Sequence, residues 1–71
     1  MERSVFAKKI GKRIAHLRKE RGITQSELAK MCFKDRQSLH RVENGLRLPS
    51  TFYIYELSNA LNVSPGEFFE F

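Results

Sequence analysis

Residues 24–45, TQSELAKMCFKDRQSLHRVENG, hold the start and stop signals of two short helices separated by a tight turn. Thr24, with Glu27 three positions on, forms a capping box in which hydroxyl and carboxylate each satisfy a free N–H of the first turn. Asp35 is placed to cap a second helix. Leu28, Ala29 and Cys32 recur at helical spacing and give a first helix of about eight residues its apolar stripe, and Leu39 and Val42 do the same for the second. Neither helix is long enough to persist alone in water, so each must pack on the other. Gly45, directly after Asn44, stands where a left-handed helix stop is expected.

On a helical wheel with Leu39 and Val42 turned inward, Gln37, Arg41 and Asn44 lie on the opposite side of the second helix. His40 flanks that face and Arg36 sits at its exposed N-terminal end. A face that only had to be wetted would more often carry Glu and Lys. The arginine fork instead matches the two acceptors of guanine, and Gln or Asn matches the acceptor and donor of adenine. Arg36, Gln37, His40 and Arg41 are therefore the candidate base-reading residues of a helix laid in the DNA major groove.

Size and charge agree with that reading. A chain of 71 residues, 41% of them apolar, has room for one domain with one small core, 1–71, and none for a separate ligand-binding or catalytic domain. Residues 1–36 carry eleven Lys or Arg against four acidic residues, a balance of +7, whereas residues 37–71 carry two against four, a balance of −2. A basic surface of this kind attracts polyanions. Cys32 has no partner for an internal disulfide and sits on an apolar stripe, as a small core residue does. His16 and His40 lie on different helices with no cysteine or carboxylate cluster between them, so no metal and no cofactor is expected. No nucleophile with a base, no carboxylate pair and no phosphate loop point to an enzyme. Neither a signal peptide nor a membrane-spanning run is visible, so the expected location is the cytoplasm, away from membranes.

Outside the central segment, residues 4–21 read as a long first helix, with Phe6, Ile10, Ile14 and Leu17 spaced by three or four and Gly22 at the stop position. Its Lys8, Lys9, Lys12, Arg13, Lys19 and Arg21 spread around the wheel, as for a solvated surface. Ser50 caps a fourth helix after the loop Leu46-Arg47-Leu48-Pro49. Ile54, Leu57, Ser58 and Leu61 face inward there, leaving Phe52, Tyr53 and Tyr55 to the sides or outside. Ser64-Pro65-Gly66-Glu67 reads as another capping box, starting a short fifth helix in which either Phe68 or Phe69 closes the core. Leu46, Leu48, Phe52, Phe69 and Phe71 remain as more apolar surface than a monomer needs, and are expected to form a two-fold contact.

The chain from about Ile10 to Phe69 resembles the phage repressor and Cro-like family of helix-turn-helix regulators, also called the XRE family. The resemblance is carried by Gln25, Ala29, Leu39 and the ending Val42-Glu43-Asn44-Gly45, by Ile10-Gly11 and Arg18 upstream, and by Pro49, Leu57, Ala60, Leu61, Val63, Ser64 and Phe69 downstream. It implies a lambda repressor-like all-α bundle of five helices. The implied function is that of a sequence-specific transcription regulator, such as a small repressor or a controller protein, binding a palindromic operator in double-stranded DNA as a homodimer. It further implies that Arg36, Gln37 and Arg41 touch bases, that Gln25 bonds a phosphate, that Asn44 braces the adjoining phosphate through its main chain, and that Arg18 pairs with Glu43. Arg18 and Arg47 complete the expected phosphate contacts. Two rivals share the fold: an antitoxin that binds both its operator and a toxin protein, and an interaction module without DNA binding.

The chain departs from the family pattern in the turn, where the family usually has glycine followed by an apolar residue and this chain has Phe33 and Lys34. A phenylalanine adopts positive φ only at a cost of about 1–2 kcal/mol. Either the turn is built differently, or Phe33 takes over the buried role while Lys34 points out, which is the arrangement expected.

Overall fold

Four α-helices and a closing 3₁₀ turn make up the computed structural model, which describes Met1–Phe71: α1 (Arg3–Glu20), α2 (Gln25–Met31), α3 (Arg36–Glu43), α4 (Thr51–Leu61) and the 3₁₀ segment Pro65–Phe69. There is no strand, and no helix is long and apolar enough to cross a membrane.

The local signals form as bonds. Thr24 Oγ1 accepts the Glu27 N–H at 3.1 Å while Glu27 Oε1 accepts the Thr24 N–H at 2.9 Å. The Thr24 N–H, and to a smaller extent the Thr24 hydroxyl, hold the Glu27 carboxyl below its ordinary value of 4.5. Asp35 Oδ1 accepts the Ser38 N–H at 2.7 Å, and Ser50 Oγ accepts that of Tyr53 at 3.0 Å. Gly22 and Gly45 close α1 and α3 at φ of 66° and 73°.

The fifth element differs from the expected α-helix. Ser64 Oγ receives only the Gly66 N–H, at a long 3.4 Å, and no capping box with Glu67 forms. Five residues beginning with a proline, which donates no N–H, are too few for an α-helical ladder and settle into the tighter turn. Arg13 on α1 ties this turn down, its Nε donating to the Glu67 carbonyl at 3.0 Å.

The core runs from Ile10, Ile14 and Leu17 on α1 through Leu28, Leu39 and Val42 to Leu57, Leu61 and Phe68. Phe68 is fully buried and Phe69 is 47% exposed, so the first of the pair closes the core. Tyr53 departs from its expected place at the side or outside of the helix: it is buried and belongs to the core cluster. α2 packs on α4 as well as on α3, and Cys32 at the end of α2 and Lys34 in the following turn both lie close to Tyr53.

The turn between α2 and α3 leaves Lys34 exposed, as expected, but neither changes shape nor buries Phe33. The Phe33 N–H bonds the Lys30 carbonyl at 3.1 Å and the Lys34 N–H bonds the Ala29 carbonyl at 2.9 Å, the two bonds of an ordinary Schellman stop. Phe33 occupies its left-handed position at φ 56°, and is 91% exposed, not buried. Tyr53 supplies the apolar floor instead, with Lys34 Nζ 5.3 Å from its ring centroid.

Candidate nucleic-acid interface

α3 turns Leu39 and Val42 into the core and leaves Arg36, Gln37, His40 and Arg41 exposed, together with Asn44 just beyond it. Those four are the residues for which base reading was expected, and they share one helix of eight residues with its capped N-terminus at Asp35.

The end of α3 is anchored by Glu43. Its Oε2 accepts Arg18 Nε at 2.7 Å, its Oε1 accepts Arg18 Nη2 at 2.9 Å, and the same Oε1 accepts Gln25 Nε2 at 2.9 Å. Arg18 Nη1 also donates to the Ile23 carbonyl at 2.9 Å. One carboxylate thus joins α1, α2 and α3. The side chains of Arg18 and Glu43 keep 10% and 4% of their surface, so the pair is buried and each member satisfies the other's charge.

Beside α3 runs an open trough whose opposite wall is α1. Lys8, Lys12, His16 and Lys19 line it from α1, and Arg36, His40 and Asn44 line it from α3 and its cap, with Gln25 at the start of α2. Its only carboxylate is that of Glu43, already neutralised by Arg18. Glu20, just outside it, is engaged with His16 at 3.2 Å and Arg21 at 3.8 Å. The trough is therefore a strip of positive charge along the flank of the exposed α3 face. On the other flank Lys34, Ser38, Arg47 and Ser50 border a second, smaller recess.

The residues expected at phosphates lie in different surroundings. Gln25 is half-buried at the N-terminus of α2 and Arg47 is exposed. Arg18 lies in the floor of the trough, with three donors committed to protein acceptors. The main-chain N–H of Asn44 bonds the His40 carbonyl at 3.1 Å, and those of Gly45 and Leu46 are likewise committed to Val42 and Arg41. The side-chain amide of Asn44 donates to the same His40 carbonyl at 2.8 Å and also lies 3.4 Å from His40 Nδ1, on an exposed edge of the trough.

The basic residues of α1 are not the evenly solvated set expected from the wheel. Lys9 reaches over the Phe71 ring at 5.5 Å and Arg13 holds the 3₁₀ turn, while Lys8, Lys12 and Lys19 share the trough. Their spacing by four and seven residues, which keeps them on one helical face, was the available signal.

Comparison with known proteins agrees with this geometry. Residues 14–68 match the helix-turn-helix family HTH_3. The chain belongs to this family of transcription regulators. It is 40% identical over 60 residues, 84% of its length and 78% of the relative's, to the uncharacterized HTH-type transcriptional regulator y4dJ of Sinorhizobium fredii. Its fold is similar to that of the restriction-modification controller protein C.AhdI from Aeromonas hydrophila, with a TM-score of 0.91 and 32% identity over 96% of this chain and 99% of that one. The clp gene regulator ClgR of C. glutamicum shares the fold at a TM-score of 0.86 and 22% identity, over 90% of this chain and 83% of its own. The chain is thus a DNA-binding regulator of the helix-turn-helix, XRE type, and its relatives are not enzymes.

Proposed function

We propose that the chain is a homodimeric transcription regulator that lays α3 in the major groove of each half of a palindromic operator. The observation that carries the reading is the exposed Arg36, Gln37, His40 and Arg41 face of α3, bordered by the carboxylate-free rim of the α1 trough. In this reading those four side chains meet base edges. Lys8, Lys12, Lys19, Gln25 and the Asn44 amide meet one phosphate strand, Arg18 offers the edge left open at the trough floor, and Arg47 meets the other strand.

Dimerisation is supported by the apolar surface that folding leaves over. Leu46 and Phe52 are 74% and 67% exposed, and Phe69 and Phe71 are about half exposed while their rings pack 6.1 and 6.0 Å from that of Phe6. Leu48 is half-buried beside them, lining an apolar groove with Phe6, Ile54 and Phe69. A two-fold contact there would set two α3 helices about 34 Å apart, one turn of DNA. Control would then follow protein concentration, because dimer and complex form by mass action. The likeness to a controller protein supports that mode, acting in the cytoplasm where its DNA lies.

Selection of bound sequences from a random oligonucleotide pool, with sedimentation at tens of micromolar protein, tests the reading. A two-fold symmetric motif and a dimer are expected. A protein that stays monomeric and protects one half-site would overturn the dimer, and recovery of no motif would overturn sequence-specific binding.

A further inference from the structure

Phe33 belongs neither to the core nor to the surface assigned above to dimerisation. Its φ of 56° lies in the left-handed region that favours glycine, and its side chain is 91% exposed, so no internal packing offsets the conformation. The backbone there is held firmly, by the Phe33 N–H on Lys30 and the Lys34 N–H on Ala29. The turn therefore presents an aromatic ring to the outside in one fixed place, at internal expense.

That place is two residues before Asp35, the cap of α3, and three before Arg36, where the base-reading face begins. Lys30, Lys34 and Arg36, beside it in sequence, are all exposed, against Asp35, whose carboxylate is bound to the Ser38 N–H, and the half-buried Glu56 on α4, whose charge reaches the neighbouring Cys32. The surroundings thus suit a polyanion more than an acidic or apolar protein surface. A phenyl ring has no donor or acceptor to offer a base. Among the base-edge features displayed in the major groove, the one that is apolar is the C5-methyl group of thymine.

We propose that Phe33 is a specificity residue that packs on a thymine methyl at the edge of each half-site, next to the bases met by Arg36 and Gln37. The proposal rests on the reading of α3 as the helix in the major groove. It explains why a phenylalanine stands at a glycine-type position: the contact it makes is to DNA, so its benefit is absent from the free protein.

Three variants and one altered base test it. Phe33→Gly relieves the backbone and should melt at a higher temperature than the wild type; a lower one removes the strain on which the proposal stands. Phe33→Asn tolerates the left-handed position and keeps the turn ordered. It should bind the selected operator about a hundredfold more weakly, roughly tenfold for each of the two aromatic rings removed from the dimer's interface, whereas Phe33→Tyr should bind close to the wild-type level. Replacing the contacted thymine of one half-site by uracil, which removes only the methyl, should weaken the wild type about threefold to fourfold and leave Phe33→Asn unaffected. Equal losses for wild type and Phe33→Asn, or wild-type affinity in Phe33→Asn and Phe33→Gly, would overturn the contact. If the wild type selected no motif at all, the reading of α3 would fall first; with a motif in hand, failure of the uracil comparison removes the Phe33 contact alone.

Discussion

Gly11 faces the backbone of Val42 so closely that a Cβ on it would come within 2.3 Å of the Val42 carbonyl oxygen and 2.6 Å of that of Glu43. The middle of α1 therefore rests directly on the last turn of α3, and the tilt of the exposed α3 face is set by this backbone approach together with the Arg18–Glu43 pair.

Gly11→Ala should accordingly be severe for so small a change. The atoms in its way are main chain and cannot swing aside, so α1 must move off α3. Overpacking of this kind costs about 1–3 kcal/mol, and the upper end or beyond is expected here. Urea unfolding measures it; a variant within 0.5 kcal/mol of the wild type (about the scatter of an ordinary surface substitution) would show that the helices are not in this contact.

Glu43→Ala leaves Arg18 buried without its counter-ion and frees Gln25. Removing one member of a buried pair costs about 3–5 kcal/mol, chiefly through the charge left behind. Folding and DNA binding should weaken together, and adding Arg18→Met should recover part of the stability by removing that charge. An unchanged melting temperature in the single variant would contradict the role given to the pair.

Positioning and reading should separate in binding assays. Gln37→Ala and Arg41→Ala should each remove about 1–3 kcal/mol of discrimination on the selected operator and change binding to random DNA much less. Replacing Lys8, Lys12 and Lys19 by Gln should weaken all sequences alike and reduce the logarithmic salt slope by roughly 0.9 for every phosphate that is no longer neutralised. Motifs recovered with the Gln37 and Arg41 variants that match the wild type at every position would remove those residues from base reading.

Cys32 is 1% exposed, and burial, with a smaller push from the Glu56 charge, raises its thiol to about 11. Almost no thiolate exists at pH 8, and the little that forms is shielded. Labelling by a thiol reagent should therefore proceed only as fast as the fold opens, and accelerate sharply in denaturant. Rapid stoichiometric labelling of the native protein would show the α2 stripe to be open.

Much of this molecule is local and so can be read without a structure. The caps at Thr24, Asp35 and Ser50 and the stops at Gly22 and Gly45 depend on groups within a few residues of one another. The inward Leu39 and Val42 and the outward Gln37 and Arg41 follow from helical periodicity, which any α-helix imposes on its own sequence. The Arg18–Glu43 pair was legible only through resemblance, because 25 residues separate its members.

What only the tertiary structure decided is which neighbour covers each flank. Tyr53 looks lateral on its own helix and is buried where the Cys32 end of α2 and Lys34 approach it. The cations of α1 carry similar charges, yet Arg13 holds the 3₁₀ turn while Lys12 lines the trough, because different elements pack on the two sides of one helix. Phe33 was expected inside on its hydrophobicity, but the two hydrogen bonds of the turn place it in the left-handed position and leave its ring in solvent. Sequence periodicity specifies the angle at which a side chain leaves its helix; burial at that angle depends on helix crossings made by residues far away in the chain.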